Sequence, residues 1–359
     1  MKVLHLMVSG GTGGIETLLN NYAQGSKLEN HFAFLWETGP IVEDMNLNGV
    51  PVLVLNVRQD GLLRTLRKIT AYCRQEKFDA VVSHHSAPFL KVSLLWIKLY
   101  LPNVRIYAYA HANAYDICNG AKPKGLCIRK WVHKTAFRHS DGVIAISNSV
   151  KQSLTEYLQI PEKKIRVIYN GTPVEENLPL RTQHNRLELI YVGRLIREKG
   201  VQNIFGALEK LRGLEPYTLT IVGDGAYRPA LESMIAGTKM EKRIRFLGNR
   251  RDVPELLRRA DYFIHFPEWE EGFGLTVVEA MAAGCVCVCN RRGALPEIIT
   301  SGVDGWLSSD NTPEALTDIL QTAFSDTNRQ KISENAVRRA EDFSIARYCQ
   351  YMDDYLLEK

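Results

Sequence analysis

"ADYFIHFPEWEEGFGLTVVEAMAAGCVCVCN", residues 260–290, holds a complete structural sentence. "ADYFIHF" is a short apolar strand, "PEWEEGFG" a turn-rich loop, "LTVVEAMAA" a helix and "CVCVCN" a second apolar strand. The helix is expected to begin near Phe273 or Gly274, which puts Glu271 just before it and Glu279 inside it. Val277, Val278, Ala280, Met281, Ala282 and Ala283 leave that helix almost no polar face. A carboxylate among such neighbours needs a partner, because burying an unpaired charge is costly.

The same grammar runs outward in both directions. Upstream, "KVLHLMV", "HFAFLWE", "PVLVLNV", "DAVVSHH", "VRIYAYAH", "DGVIAIS" and "IRVIYNG" read as strands, with helices such as "IETLLNNYA" and "LLRTLRKITAYCRQ" between some of them. These strands are near-continuously apolar rather than alternating, the mark of parallel sheets buried on both faces. The polar stretch "NGTPVEENLPLRTQHNR" interrupts the rhythm, which restarts with "LELIYVG", "YTLTIVG" and "RIRFLG". The fold class is therefore α/β: two Rossmann-like, doubly wound domains facing a cleft. The expected boundaries are 1–171 for the first domain, 172–186 for a linker and 187–343 for the second. The remaining segment, 344–359, is a helix expected to pack back on the first domain.

Composition narrows the class of protein. With 359 residues the chain exceeds one ordinary core, and 45% hydrophobic against 24% charged residues is a globular balance. The formal charge of +5 suits an anionic ligand or surface without demanding one. "MKVLHLMVSGG" reads as a first strand rather than a secretory leader, and "VSLLWIKLYLP" is too short and too interrupted to span a bilayer. Seven cysteines are an odd number for a disulfide framework and fit a reducing cytoplasm. Cys285, Cys287 and Cys289 share one strand face, but no C-x-x-C pair or adjacent histidine accompanies them, so they read as small core residues rather than metal ligands.

Ligands of open α/β sheets gather at the carboxyl ends of the strands, and four segments there carry chemistry. "SGGTGGIE", residues 9–16, joins the first strand to the first helix; its glycines admit a ligand close to the backbone. It completes neither G-x-G-x-x-G, since Glu16 fills the third position, nor a P-loop, since it has no lysine. "YVGRLIREKG", residues 191–200, places Arg194 and Lys199 ahead of a helix, where two cations would counter a diphosphate. In the opening stretch, a wholly helical interval would separate Glu271 from Glu279 by roughly 12 Å. That matches the reach from a ribose across a diphosphate to a hexose. Between them Gly272, Phe273, Gly274, Leu275 and Thr276 are expected to present first-turn amides to phosphate oxygens. The fourth segment, "YAYAHANAYD", ends a strand on His111.

Together these segments resemble the glycosyltransferases of the GT-B fold, specifically glycosyltransferase family 4. The resemblance rests on "GGTGGIE", "AYAHANAY", "VIYNG", "VGRLIREKG" and "EGFGLTVVEAMAAG", which occur in the family's order and cover nearly the whole chain. It implies a retaining, metal-independent hexosyltransferase that uses a nucleotide-sugar, UDP-linked, as co-substrate and needs no cofactor. It implies that Arg194 and Lys199 bind the diphosphate, that Glu271 with the amides of Phe273 and Gly274 holds the transferred sugar, and that Glu279 binds the ribose. By the same resemblance His111 contacts the sugar near the reacting carbon, Gly13 and Gly14 approach the phosphates, and Leu247 and Asn249 lie near the base. His111, Glu271, Arg194 and Lys199 form the implied catalytic set.

The acceptor is implied to be a glycan or lipid-linked glycan of bacterial surface polysaccharide, meeting the first domain around Glu16, His84, His85 and Tyr115. "KPKGLCIRKWVHKTAFRH", residues 122–139, mixes basic and apolar residues in a way that suits peripheral contact with anionic lipid on the inner face of the cytoplasmic membrane. The same pattern is that of a solvated helix with its apolar stripe in the core. No nucleic-acid module is present. A glycoside hydrolase or phosphorylase, and a non-catalytic nucleotide-sugar-binding protein, are the alternatives. A hydrolase would also set carboxylates about a sugar, but it would have no use for Arg194 and Lys199.

Overall fold

A computed structural model describes residues 1–11, 13–119, 126–174, 186–211 and 216–358. Most of the expected linker, 175–185, and part of the basic segment, 122–125, lie outside the described residues. The chain forms two compact units. One comprises Met1–Gly171 together with Ile345–Lys359, the other Thr172–Ser344.

The first unit is built on a parallel sheet of seven strands among the described residues: β1 (Lys2–Ser9), β2 (Glu29–Glu37), β3 (Val52–Val54), β4 (Ala80–Ser83), β5 (Arg105–Ala110), β6 (Gly142–Ala145) and β7 (Ile165–Val167). Their spatial order is β3-β2-β1-β4-β5-β6-β7. Register follows burial: Val3, Leu4, His5 and Leu6 of β1 oppose Ala80, Val81, Val82 and Ser83 of β4, and all eight are buried. The inner strands β4, β5 and β6, wrapped on both faces, have no solvent side, which is why no polar alternation appears in their sequence.

The final helix, Ile345–Leu357, is part of this unit. The buried Asp353 carboxylate accepts hydrogen bonds from the Tyr22 hydroxyl at 2.7 Å, the Ser26 hydroxyl at 2.6 Å and the Lys27 backbone amide at 2.7 Å.

The second unit repeats the plan with six parallel strands among the described residues: β8 (Leu187–Val192), β9 (Tyr217–Val222), β10 (Ile244–Gly248), β11 (Tyr262–His265), β12 (Val286–Cys289) and β13 (Trp306–Leu307). The order is β10-β9-β8-β11-β12-β13. Leu189, Tyr191, Leu219, Ile221, Ile264 and Val288 form its interior with Val201, Ile204, Leu316 and Leu320 from the flanking helices. The cysteines of "CVCVCN" are buried; Cys285 donates its thiol to Leu257 O and Cys287 to Val277 O, so they behave as small core residues. Parallel strands bring the carboxyl ends of β8, β11 and β12 to one edge. "ALPEIIT", apolar in sequence, contributes a short helix, Leu295–Ile298, beside that edge.

Candidate active site

Within the second unit the carboxyl ends of β8 and β11 converge on Glu271. Its Oε2 accepts from the Lys199 ammonium at 2.8 Å and from His265 Nε2 at 3.1 Å. Lys199 also lies over the Trp269 ring, 4.9 Å from its centroid. Burial alone would raise the Glu271 carboxyl; the hydrogen bond from His265 and the charge of Lys199 reverse this and hold it well below the usual carboxylate range. Burial lowers His265 in turn, against the opposing pull of Glu271, so His265 meets the carboxylate as a neutral donor. Glu271 Oε1 is left without a partner among the described residues.

Two glycines make this convergence possible. Gly200 has φ +72°, and a Cβ there would lie 2.0 Å from Phe266 O; Gly293 has φ +58°, and a Cβ would lie 2.0 Å from Glu271 O and 2.6 Å from its N. Only glycine combines the left-handed backbone with so close an approach. Ala294 N then donates to Glu271 O at 2.9 Å, fixing the backbone that carries the carboxylate.

The following helix is Leu275–Ala282, capped by Gly274 at φ +96°. It starts after the expected Phe273 or Gly274, so the interval from Glu271 to Glu279 is loop followed by helix, and the estimate of a wholly helical separation does not apply. Gly272 and Phe273 precede the helix, and the Phe273 ring is buried against Phe343 with centroids 5.6 Å apart, an anchor for the loop. The first-turn amides are those of Leu275 and Thr276, which have no backbone partner among the described residues. Glu279 is half-buried on this helix, its carboxylate without a hydrogen bond or ion pair among the described residues; burial pushes the carboxyl up to about 7. Arg194 is exposed, and Leu247 and Asn249 are exposed at the end of β10.

The first unit arranges its own strand ends. Gly13 caps the helix Gly14–Gly25, and the exposed Gly14 opens it. Gly10, one residue past β1, is packed tightly against Gly39. Glu16 accepts from His85 at 3.0 Å, with His85 in the left-handed region at φ +61°. Tyr115 is exposed. His84, just past β4, is wholly buried, and its Nδ1 meets His111 Nε2 at 3.0 Å. His111 is half-buried at the end of β5, its ring 4.1 Å from that of Tyr109.

Sequence reasoning missed His265 and Gly293. A histidine ending a strand six residues before Glu271 was the available signal for the first; the second has none short of the structure.

Comparison with known proteins gives a consistent neighbourhood. Residues 12–176 match the family described as Glycosyltransferase Family 4, and residues 176–339 the family described as Glycosyl transferases group 1. An N-acetyl-alpha-D-glucosaminyl L-malate synthase of Bacillus anthracis is 26% identical over 251 residues, 67% of this chain; the match spans 64% of that relative's length. The Escherichia coli UDP-Gal:alpha-D-GlcNAc-diphosphoundecaprenol alpha-1,3-galactosyltransferase is 24% identical over 344 residues, 90% of this chain and 87% of that one. Among solved structures, Anabaena Alr3699/HepE in complex with UDP superposes with a TM-score of 0.86 over the full length of both chains at 23% identity. The same protein with UDP-glucose gives 0.84 at 22%.

Proposed function

The chain belongs to the glycosyltransferases of the GT-B fold, and from that premise we propose that it moves a hexose from a UDP-sugar to a hydroxyl of a glycan or lipid-linked glycan acceptor. The observation that carries the proposal is Glu279: a carboxylate held on an apolar helix at an energetic cost, without an internal partner among the described residues, suits the paired hydroxyls of a ribose. Around it, the amides of Leu275 and Thr276 and the exposed Arg194 suit a diphosphate. The open Oε1 of Glu271 suits a sugar hydroxyl, with Lys199 and His265 fixing the carboxylate's direction. UDP and UDP-glucose in a structural relative support the choice of nucleotide. Both matched families are glycosyltransferases, which gives the hydrolase alternative no support.

In this reading the acceptor oxygen forms its bond to the anomeric carbon as the bond to the diphosphate breaks on the same face, with retention. The hydroxyl proton passes to the departing phosphate oxygen. Arg194, Lys199 and the helix amides counter the charge left on UDP, the role otherwise filled by a divalent cation, so the reaction proceeds without one. We place the activity at the inner face of the bacterial cytoplasmic membrane, in surface-polysaccharide assembly. Exposed Ile128 and Trp131 beside Lys130 and Lys134 suit peripheral contact there. No helix among the described residues is long and apolar enough to cross a membrane.

The test is a panel of UDP- and GDP-sugars with crude lipid-linked acceptor, with and without chelator, scored by nucleoside-diphosphate release. UDP release that depends on acceptor and persists in chelator is expected. Absence of UDP binding by calorimetry at millimolar concentration would sink the proposal.

A further inference from the structure

Three histidines and an asparagine of the first unit form an unbroken buried chain. His111 Nε2 meets His84 Nδ1 at 3.0 Å, His84 Nε2 meets His5 Nδ1 at 2.9 Å, and His5 Nε2 meets Asn30 Oδ1 at 2.9 Å. His5, His84 and Asn30 are buried. Packing holds the rings in place: His5 stacks on Phe32 with centroids 4.9 Å apart, and Tyr109 lies 5.2 Å from His84 and 4.1 Å from His111.

The direction of this chain is set at its deep end. Asn30 Nδ2 donates to Leu28 O at 3.3 Å, which turns Oδ1 toward His5. An amide oxygen can only accept, so His5 must donate from Nε2. A neutral imidazole has one N–H, so His5 Nδ1 can only accept, and His84 must donate to it from Nε2. The same step leaves His84 Nδ1 an acceptor and makes His111 donate from Nε2. His111 Nδ1 is then an unprotonated lone pair. That atom is buried and has no partner. All three rings stay neutral near pH 7: burial lowers His5 to about 4, and burial followed by neighbouring positive charge holds His84 and His111 well below their ordinary value. Lys91, buried nearby, is one source of that charge.

We propose that Asn30, His5 and His84 are positioning residues that lock His111 in the Nε2–H tautomer, so that its Nδ1 serves only as a hydrogen-bond acceptor for a hydroxyl of the sugar substrate. The proposal rests on the transferase reading for its ligand and on this chain alone for the tautomer. A donor at Nδ1 would meet the oxygen of any hydroxyl or ring ether, whereas an acceptor there demands a substrate O–H. The lock therefore selects for a hydroxyl and against its deoxy or fluoro analogue.

The test separates the two parts. Nitrogen-15 spectra of the histidine rings, between pH 6.5 and 8, should show His111 Nδ1 unprotonated and Nε2 protonated in the unmodified protein. Asn30→Leu and His5→Phe each remove an acceptor while His84 and His111 themselves are kept, and each should give a mixed or reversed His111 tautomer. With two variants, misfolding of one leaves the other to decide. In the transfer assay the folded variant should lose roughly tenfold in kcat, the size of one well-made hydrogen bond, with UDP affinity unchanged.

A protonated Nδ1 in the unmodified protein, or an unchanged tautomer in both variants, overturns the lock. A changed tautomer with unchanged kcat overturns the hydroxyl contact. Failure of every donor in the unmodified protein would overturn the transferase reading while the spectra still decide the lock.

Discussion

Glu279→Gln should make the second unit more stable at alkaline pH while weakening its grip on nucleotide. Burial raises the Glu279 carboxyl from its ordinary 4.5 to about 7. At about 1.36 kcal/mol per unit, a shift of that size corresponds to roughly 3 kcal/mol for a fully desolvated group. Glu279 retains partial exposure, so roughly 1–3 kcal/mol is the expected range. The sign follows from proton linkage: the folded chain holds this proton more tightly than the unfolded one, so folding loses stability as pH rises from 4.5 through 7. Glutamine does not ionise and escapes the penalty. The variant should match the parent at pH 4.5 and exceed it at pH 8, by at least about 2 °C in melting temperature. Denaturation followed through Trp269 and Trp306 reads this, and UDP titration at pH 8 should show at least a tenfold loss of affinity. A stability difference that is absent at pH 8, or the same at both pH values, would refute the reasoning and mean that the carboxylate is solvated or partnered.

Lys199→Ala strands a buried carboxylate and should cost about 3–5 kcal/mol. Because Lys199 helps depress the Glu271 carboxyl, the deficit should be full above pH 5 and narrow in acid; urea titrations across pH check it, and adding Glu271→Gln should restore at least half. Gly293→Ala combines a left-handed backbone with a clash against Glu271, so about 2 kcal/mol or more should be lost, with turnover down by about 100-fold. Gly237→Ala, at φ +72° in open space, is the control and should show the backbone cost alone in the same melts. Asp353→Asn replaces a carboxylate that accepts three hydrogen bonds; hydrogen exchange along Gly14–Gly25 should report about 1–3 kcal/mol of local loss and leave the second unit unchanged.

The alternation of strands and helices was legible because parallel strands buried on both faces must be apolar throughout, and the central strands β4, β5, β6, β11 and β12 come close to that rule while the edge strands β3, β7 and β10 are partly exposed. The position of Glu279 was legible for a related reason: a single acid among Val277, Val278, Ala280 and Met281 is conspicuous. The company kept by Glu271 was not. Lys199 lies 72 positions away along the chain, and only the fold decides that its ammonium meets Oε2 rather than solvent. The helix start was legible to within a residue, with Gly274 as its cap, but the left-handed conformation of Gly274 is not revealed by the composition of "EGFGL". His84 and His85 look equivalent in "HHSAPF", yet the chain has left β4 and turns left-handed at His85, so one lies in the interior and the other meets Glu16.

The assignment of Ile345–Leu357 to the first unit has a consequence for biosynthesis. A ribosome releases Thr172–Ser344 as one uninterrupted piece, but Asp353, the partner that Tyr22 and Ser26 require, emerges only after that whole unit has been made. The half that is made first is therefore completed last. A nonsense codon between residues 345 and 353 would leave the later-made half intact and cripple the earlier one, the reverse of the usual polarity of truncation.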